Sequence, residues 1–478
     1  MAEYLSPGVY VEEVPSLIKP IAGVSTSIAG FLGVVPNVLT IGSVVDQIIG
    51  KVERSGEGLK KEFQLNKEHY PVKTDAGTFE FHVSGKPEPI PGVTLENKVN
   101  EKVSVVHFAF DDPQNLPPDG AEIRGKYERV FNPVDVGQVK LCTNFTEFTK
   151  SFGDFTTDPG QNILAHAVYG FFNNGGSRCY VVRVNEQNDI NSQFLERTFE
   201  PIDEIAIVVA PGITDDAIRD AIITHCQVRT QDRFAILDSP RDVEDSNKLV
   251  DITKFSLSNL ENVQPNNSNY AAFYFPWIEV FDPATKKRGL YVPPSGHIAG
   301  IYARVDTNIG VHKAPANEVI FGALGLKYNI SKNQQQSLNP QGVNCIRNLN
   351  GNFLVWGART IGGDANSDLK YINVRRTLLF LRESIDEGTQ WVVFEPNTPN
   401  LWKRITRNVS DFLTTVWRSG ALFGDTPQQA FYVKCDAETN PPEERELGRV
   451  VTEIGVAIVR PAEFVIFRIS QITPLTNG

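Results

Sequence analysis

Apolar residues recur along the chain at two spacings, which predicts a mixture of helices and strands. A continuous apolar run at Ile205–Val209 is followed by a helical pattern and then by a second buried run at Phe234–Leu237. In the helical pattern, Ile218, Ile222 and Cys226 lie on one face. Strand, helix and strand in this order predict a parallel βαβ unit.

The same pattern of predicted strands and helices extends over a larger α/β core. Residues 25–36 read as its first buried strand, Gln161–Phe172 as a helix and Cys179–Val184 as a further strand. We assign residues 25–36 and 137–368 to this core domain, because the apolar α/β pattern stops after residue 36 and resumes after residue 136.

Between these two parts, residues 37–136 have a different pattern. Short alternating stretches such as Thr78–Val83 and Val103–Phe110 are separated by the turn-rich segments PEPIPG and DDPQNLPPDG. Alternation with a period of two, bounded by proline and glycine, is typical of β-strands. We therefore predict an inserted β-rich domain at 37–136.

Two strong helical patterns mark a C-terminal α/β domain at residues 369–446. The first runs from Tyr371 to a stop at Gly388 and is followed by an expected strand at Trp391–Phe394. The second carries a helix-start proline at Pro399 and ends at Gly420, and a strand at 430–435 follows.

Both ends of the chain read as extended arms. Residues 1–24 contain Pro7, Pro15 and Pro20, and one β-prone stretch at 8–14 that has too few apolar side chains for a core of its own. Residues 447–478 contain two β-prone runs, Val450–Val459 and Phe464–Ile469. An isolated strand is not stable in water, so each arm must pair with a sheet edge in the same chain or in a neighbour.

Composition and charge argue against nucleic acid, metal ions and membranes as direct partners. The 478-residue chain carries a formal net charge of -11 and has a pI near 5.3. A nucleic-acid coat needs a basic surface, so no direct nucleic-acid partner is expected. Five scattered cysteines without a CxxC pair predict no metal site and fit a reducing cytoplasm. The first residues lack a leader pattern and no apolar run is long enough to span a membrane, so we expect neither secretion nor membrane insertion.

Candidate enzymatic chemistry is weak. The turn at Pro211–Gly212 has no phosphate-binding glycine pattern, and we expect no cofactor. Asp238 lies at the carboxyl end of a predicted parallel strand, a ligand position in open α/β sheets, although a turn or cap role is the commoner one. Ser295 and His297 place a hydroxyl beside an imidazole, but no GxSxG elbow surrounds them and a turn is expected.

One charged surface stands out on the second C-terminal helix. At about 100° per residue, Lys403, Arg404, Arg407 and Arg418 fall within roughly a quarter turn, opposite the apolar stripe. A solvated basic face and a docking face for an acidic protein surface are both open alternatives.

Six passages resemble one family. The opening YLSPGVYVEEVPS with IAGVSTSIAGFLG is similar to the start of contractile tail sheath proteins of phages and bacterial contractile injection systems. The later passages are YGFFNNGGSRCYVVRV, VPPSGHIAGIYARVDTNIGVHKAPAN, NVRRTLLFLRESI with WVVFEPN, and GVAIVRPAEFVIFRISQ. They occur in the family's order and span the chain outside the segment 37–136.

The resemblance implies a structural, non-enzymatic subunit that polymerises as a helical sheath around an inner tube and contracts. It implies assembly in the cytoplasm into a phage-like particle or virion tail, with an inner tube protein, baseplate proteins and terminal cap proteins as partners. The terminal arms would add strands to the sheets of neighbouring copies. The residues implied in this exchange are Gly8, Val9, Tyr10, Val11, Glu12, Glu13, Val14, Ile454, Val456, Ile458, Phe464, Val465, Ile466, Phe467 and Ile469.

The resemblance also makes the basic arc of Lys403, Arg404, Arg407 and Arg418 the candidate surface for gripping an acidic inner tube. Two other interpretations stay open. One is a hydrolase or nucleotide-dependent enzyme that uses Ser295, His297 or Asp238. The other is a static self-assembling shell protein that has the arms but no contracted state.

Overall fold

The computed structural model describes residues 20–55, 58–59, 61–86, 88–109, 117–243 and 264–467. The strands are β1 (Ala29–Val34), β2 (Leu39–Lys51), β3 (Arg54–Ser55), β4 (Gly58–Leu59), β5 (Glu62–Gln64), β6 (Phe79–Val83), β7 (Val93–Lys98), β8 (Val103–Phe108), β9 (Glu122–Phe131), β10 (Lys140–Cys142), β11 (Cys179–Val184), β12 (Ile207–Val209), β13 (Phe234–Asp238), β14 (Ala271–Phe275), β15 (Ile278–Asp282), β16 (Lys287–Val292), β17 (Glu318–Val319), β18 (Gly325–Leu326), β19 (Val343–Leu349), β20 (Asn352–Val355), β21 (Phe431–Lys434) and β22 (Glu453–Val456).

The α-helices of the described residues are α1 (Phe145–Phe152), α2 (Pro159–Asn173), α3 (Ser192–Thr198), α4 (Asp216–Thr224), α5 (Ser295–Asn308), α6 (Lys332–Leu338), α7 (Ile372–Thr389), α8 (Pro399–Arg418), α9 (Pro427–Ala430) and α10 (Pro442–Glu446). Short 3₁₀ turns and one π-helical turn, His225–Thr230, join several of them. Among the residues described, no helix combines the length and the apolarity that crossing a bilayer requires.

A nine-stranded sheet forms the centre of the molecule, in the order β10-β11-β1-β12-β13-β14-β19-β20-β17. The strands from β11 to β19 are parallel, and the pairs at both outer ends are antiparallel. The predicted βαβ unit is confirmed, since β12 pairs in parallel with β13 and α4 lies between them in sequence. The expected strands at 25–36 and 179–184 are also confirmed, and they pair with each other.

Glycines bring two helices of the core into close contact. A Cβ on Gly296 of α5 would lie 2.4 Å from the Cα of Ala167 in α2, and a Cβ on Gly300 would lie 2.4 Å from the carbonyl oxygen of Phe171. Both positions therefore need glycine for packing rather than for backbone freedom. Buried apolar residues of α2, α5 and the large sheet belong to one continuous core.

The segment from β2 to β9 folds as β structure, as the alternating pattern predicts. It contains two three-stranded sheets, β2-β9-β6 and β5-β8-β7, and a short hairpin of β3 and β4. A separate apolar cluster that includes Phe63, Phe81, Val106 and Tyr127 lies between the two larger sheets. The exact domain limits assigned from the sequence stay predictions.

The C-terminal part packs around α8. Thr398 caps the helix, with its hydroxyl accepting from the Leu401 backbone NH at 3.5 Å, and Pro399 occupies the first turn, as predicted. The apolar stripe of α8 packs with residues of α7, β21 and β22 in a third cluster. The predicted strand at 430–435 is confirmed as β21.

Two local predictions are wrong. Residues Trp391–Phe394 form no strand, because Gln390–Val392 is a 3₁₀ turn and Phe394 is fully exposed at a positive φ of 66°. Ser295 opens helix α5 and does not lie in a turn. The predicted end of α7 at Gly388 lies one residue before its observed end at Thr389, and a Cβ on Gly388 would come within 2.6 Å of Ile21.

Candidate functional site

The C-terminal sheet has only two strands in the described part of the chain. β21 and β22 pair antiparallel, with Phe431 opposite Val456 and Lys434 opposite Glu453. The apolar side chains of Phe431, Val433 and Ile454 pack against the cluster around α8, whereas Tyr432 is exposed on the other face. Each strand has one strand neighbour among the residues described, so one edge of each has ladder groups available for another strand.

This pairing changes the expectation for two residues assigned to strand exchange. Ile454 and Val456 lie on β22, which already pairs along one edge with β21 of the same chain. The segment continues inside the chain, because Ile458 bridges to Leu422 and the Val459 NH donates to the Ala421 carbonyl at 3.2 Å. The two strands pair within one chain because both pack their apolar side chains against α8. The run predicted at Val450–Val459 is thus a short strand, Glu453–Val456, and not one continuous strand.

The last described residues form an exposed apolar run. Phe464, Val465, Ile466 and Phe467 are 71%, 69%, 76% and 85% exposed and belong to no strand within the described chain. Four consecutive exposed apolar residues are unusual on a soluble surface. Their β-branched and aromatic side chains favour an extended strand once a partner edge is available. Ile469, the final residue of the predicted run, lies outside the described residues.

The N-terminal arm enters the described structure beside α7. The predicted exchange strand, Gly8–Val14, lies outside the described residues. The first described residues are held firmly: Ile21 packs against Gly388, and the Val24 NH donates to the Ser384 hydroxyl at 3.1 Å. The arm is therefore delivered from a fixed point at the C-terminal end of α7.

A buried ion pair fixes this connection to the core. Arg376 of α7 donates through Nη1 to Asp306 Oδ1 at 2.9 Å and through Nη2 to Asp306 Oδ2 at 2.6 Å. The same Nη2 donates to the Thr26 carbonyl at 2.9 Å, and the Thr26 hydroxyl donates to Asp306 at 2.6 Å. The neighbouring carboxylate raises the pKa of Arg376 against the opposing effect of burial.

The four residues of the predicted basic arc lie on α8, but they are not equivalent. Lys403, Arg407 and Arg418 are exposed. Arg404 is half-buried, donates to Glu395 at 3.0 Å and stacks over Trp391 at 4.6 Å. Arg407 has a distant partner, Asp411, at 3.9 Å. No carboxylate of the described residues lies within ion-pair distance of Lys403 or Arg418. Three cations therefore face solvent, and the fourth holds the loop before α8.

Ser295 and Asp238, which the enzyme interpretation would use, form a buried hydrogen-bond network. Ser295 donates to Asp238 through its NH at 2.9 Å and through its hydroxyl at 2.5 Å, and the Gly212 NH donates to the same carboxylate at 3.0 Å. Both Ser295 and Asp238 are completely buried. Burial raises the pKa of Asp238 to about 6, although its hydrogen bonds lower it. The carboxylate thus caps the N-terminus of α5, which is the commoner, structural role expected for Asp238 from the sequence.

His297 does not complete a catalytic set. It is buried and packs against Gly170 of α2, and among the described residues it makes no hydrogen bond to Ser295. Burial and the nearby His166 lower its pKa to about 3. The described residues contain no cluster of His, Cys, Asp or Glu that could hold a metal ion.

A groove of about 890 Å³ lies where α7 and β22 face the core domain. Its apolar floor includes Leu381, Leu413 and Ile454. Six carboxylates and two arginines, Arg229 and Arg382, also line it. Burial together with neighbouring carboxylates raises the pKa of Glu383 to about 7. The acidic residues are Glu200, Asp203, Asp232, Glu383, Asp386 and Glu387. They come from separate stretches of the chain, so no local spacing in the sequence indicates this groove.

Sequence reasoning also missed two ion pairs that hold the arms. Arg376 and Asp306 are 70 residues apart, and Arg359 and Glu463 are 104 residues apart. Asp306, Arg376 and Glu463 lie in passages that resemble the family, but nothing in those passages pairs them with their partners. Only the fold brings the members of each pair together, so the sequence does not indicate the pairing.

Two family models match the sequence. The model described as the phage tail sheath protein central domain matches residues 193–361, and the phage tail sheath C-terminal domain matches residues 364–472. Together they cover more than half of the chain.

Individual proteins agree with these matches. The tail sheath protein of Burkholderia phage BcepMu is 27% identical over 219 residues, which cover 44% of this chain and 44% of that protein. This chain spans about half the length of the curated relatives it matches. The sheath of an extracellular contractile injection system, PVC, in its contracted state shares the fold with a TM-score of 0.64 and 23% identity over 99% of both chains.

The contracted helical sheath of the anti-feeding prophage (AFP) has a TM-score of 0.62 and 24% identity, covering 98% of this chain and 99% of that chain. The mixed α/β, multidomain architecture predicted from the sequence is therefore confirmed. On the two family matches, which occur in the family's order, this chain belongs to the phage tail sheath protein family.

Proposed function

We propose that this chain is the sheath subunit of a contractile injection system or phage-like contractile tail. Copies polymerise as a helical sheath around an inner tube through interchain β-strand addition, and the sheath contracts to drive the tube through a target envelope. The subunit assembles in the cytoplasm, acts without enzymatic turnover and binds no cofactor. Its other partners are baseplate and terminal cap proteins. Membership of the family supports this function.

The observation that carries the proposal is that one molecule has an open sheet edge and an exposed, unpaired apolar run within its described residues. The two-stranded sheet of β21 and β22 has open edges, and the exposed run Phe464–Phe467 has the length and side chains of a missing strand. Donor and acceptor are different surfaces of the same chain. Such head-to-tail contacts build an open helical polymer when the rotation does not close a ring.

The structure favours a specific division of roles. We assign Gly8–Val14 and Phe464–Ile469 as donated strands and the edges of β21 and β22 as acceptors. Ile454 and Val456 then belong to the acceptor sheet, because β22 already pairs with β21. Ile458 lies in the segment that leaves this sheet towards the donor run. Backbone hydrogen bonds carry such a contact, so it survives rotation of the connected domains.

The basic face of α8 is our candidate for the contact with the inner tube. Lys403, Arg407 and Arg418 are exposed, whereas Arg404 is engaged with Glu395 and Trp391. Exposed ion pairs contribute little individually. A repeated weak contact of this kind suits a surface that must release the tube when the sheath contracts, a step that uses no nucleotide.

The matched variants Ile466→Pro and Ile466→Val test the strand exchange. Proline removes a ladder NH and blocks pairing, whereas valine keeps the strand propensity. Neither change disturbs the isolated subunit, because Ile466 is 76% exposed. In a strand, alternate side chains point to the same face of the sheet, so two of the four would pack on the apolar face that covers α8. Their burial would stabilise one junction by roughly 3–6 kcal/mol.

Electron microscopy of the chain, purified alone and co-expressed with its inner tube protein, gives the readout. We expect tubes from wild type and Ile466→Val, and unassembled subunits from Ile466→Pro. Normal tubes from Ile466→Pro would show that this run is not the donated strand. Tubes that exist in one length and diameter under every condition would favour the static shell over a contracting sheath.

A further inference from the structure

The C-terminal segment is fixed to the core domain one residue before the exposed apolar run. Glu463 Oε1 accepts from Arg359 Nε at 2.8 Å and from Asn339 Nδ2 at 2.6 Å. Its Oε2 accepts from Arg359 Nη2 at 2.8 Å and from the Tyr371 hydroxyl at 2.9 Å. Four donors therefore surround one carboxylate in a segment that has no regular secondary structure.

Contacts with residues other than Glu463 hold the Arg359 guanidinium in place. The Asn344 side chain accepts from the Arg359 NH and donates to its carbonyl, both at 2.7 Å. Arg359 Nη1 donates to the Asn339 carbonyl at 3.2 Å and to Asp364 at 3.1 Å. The Arg359 side chain is 4% exposed. A preorganised guanidinium that binds both oxygens of a carboxylate fixes direction as well as position.

Two weaker contacts guide the chain to this point. Asn373 Nδ2 donates to the Val459 carbonyl at 3.1 Å, and Arg460 pairs with Asp368 at 2.7 Å. The environment changes abruptly after Glu463, where the side chains from Phe464 onward are exposed. The contacts of Glu463 thus hold a segment whose next four side chains gain little burial from their own subunit.

We propose that Glu463 is a positioning residue, whose clamp by Arg359, Asn339 and Tyr371 sets the point and direction from which the run Phe464–Phe467 leaves its own subunit. The inference rests on the proposed strand exchange and adds a residue to it. The clamp presents the run towards a neighbouring copy and joins the exchanged strand to the core domain rather than to the two-stranded sheet alone.

The expected consequence is entropic. An arm released from the clamp must be ordered when it docks, and each residue that is ordered at that moment weakens association. With only a few residues freed, the subunit concentration needed for assembly rises about tenfold or more. The folded core remains, because Arg359 keeps its hydrogen bonds to Asn344, Asn339 and Asp364.

Glu463→Gln tests this role against the matched control Glu446→Gln. Glutamine keeps the size of the side chain but removes the charge and turns one acceptor into a donor that faces Arg359 and Tyr371. Glu446 is exposed in α10, makes no contact with the clamp and undergoes the same chemical change. Tyr371→Phe is a milder second variant, because it removes a single hydrogen bond to Glu463.

The readout is the mobility of a spin label at Ile466→Cys in the unassembled subunit, with the assembly threshold measured by sedimentation on unlabelled protein. Labelling is selective because the five native cysteines are buried. We expect Glu463→Gln to sharpen the label spectrum and raise the threshold while circular dichroism stays that of wild type. We expect Tyr371→Phe to give a label mobility and an assembly threshold between those of wild type and Glu463→Gln. Glu446→Gln should match wild type in both. A merely structural role would change the unfolding midpoint without changing label mobility in the folded subunit.

Unchanged label mobility in Glu463→Gln would overturn the positioning role, and so would an unchanged threshold. If Ile466→Pro still blocks assembly in that case, the proposed function stands without the clamp. If Ile466→Pro assembles normally, the strand exchange itself fails. Should Glu463→Gln not fold, the same two measurements on Tyr371→Phe decide the question.

Discussion

Removing one partner of the buried pair between Arg376 and Asp306 should strongly destabilise the subunit. The two side chains are 3% and 4% exposed and exchange two hydrogen bonds. In Asp306→Leu, the buried guanidinium keeps its bond to the Thr26 carbonyl but loses the opposite charge. Breaking a buried pair in this way costs about 3–5 kcal/mol.

The double variant Arg376→Leu/Asp306→Leu should cost less than either single variant. Replacing both charges removes the uncompensated ion, and the remaining penalty is that of the Thr26 carbonyl and hydroxyl, which lose their partners. Because Thr26 is only half-buried, water can partly satisfy these two groups, and together they should cost less than the lone buried charge.

Denaturant unfolding of the four proteins, wild type, both single variants and the double, forms a double-mutant cycle. The reasoning requires a large non-additive coupling between the two sites. Single costs below about 1 kcal/mol, or two costs that simply add, would show that the pair does not stabilise the junction between the N-terminal arm, the core and α7.

Two further predictions concern α8 and the buried hydrogen-bond network at Asp238. Arg407→Glu should prevent extended sheaths from forming on the inner tube while contracted-type tubes still form; its stability should change by less than about 0.5 kcal/mol because its ion pair with Asp411 is long and exposed. Normal extended particles would refute the docking role. The pKa of Asp238 is raised from 3.8 to about 6, so the protonated carboxyl favours folding below pH 3.8, and this contribution of about 3 kcal/mol is lost as pH rises through 6. Denaturant unfolding between pH 4 and 7 should show this decline in wild type and a flatter profile in Asp238→Asn; equal slopes would contradict it.

Local patterns predicted the elements whose structure local physics determines. The βαβ unit around α4 followed from an apolar run, a helical stripe and a second run, since strands buried on both faces are apolar throughout. Helix α8 followed from Pro399 and a regular stripe that ends near Gly420. In both cases the sequence preference and the tertiary contacts agree.

Predictions failed where distant contacts override local preference. Trp391–Phe394 has strong strand propensity, yet Trp391 lies under Arg404 and Val393 and Phe394 are exposed. Ser295 follows two prolines and resembles a turn, but Asp238, 57 residues away, caps it as the start of a helix.

The same limit applies to the candidate site. The sequence indicated the exposed C-terminal run and the basic face of α8, because composition and periodicity are local properties. It could not indicate that β22 already has a partner in its own chain, or that Glu463 meets Arg359. Those facts depend on how the C-terminal segment crosses the core.

Helix α7 separates the anchor points of the two arms by a set length. The C-terminal arm is bound at Tyr371, just before the helix, and the N-terminal arm packs at Gly388, near its end. With a rise of 1.5 Å per residue, these points lie about 25 Å apart along the axis. The helix therefore keeps this distance constant within each copy, so in the proposed sheath a change in spacing between copies would occur in the arms. Inserting a single residue into α7 would rotate the contact at Gly388 by about 100° around the helix axis relative to the contact at Tyr371. The two arms would then leave the subunit in different relative directions.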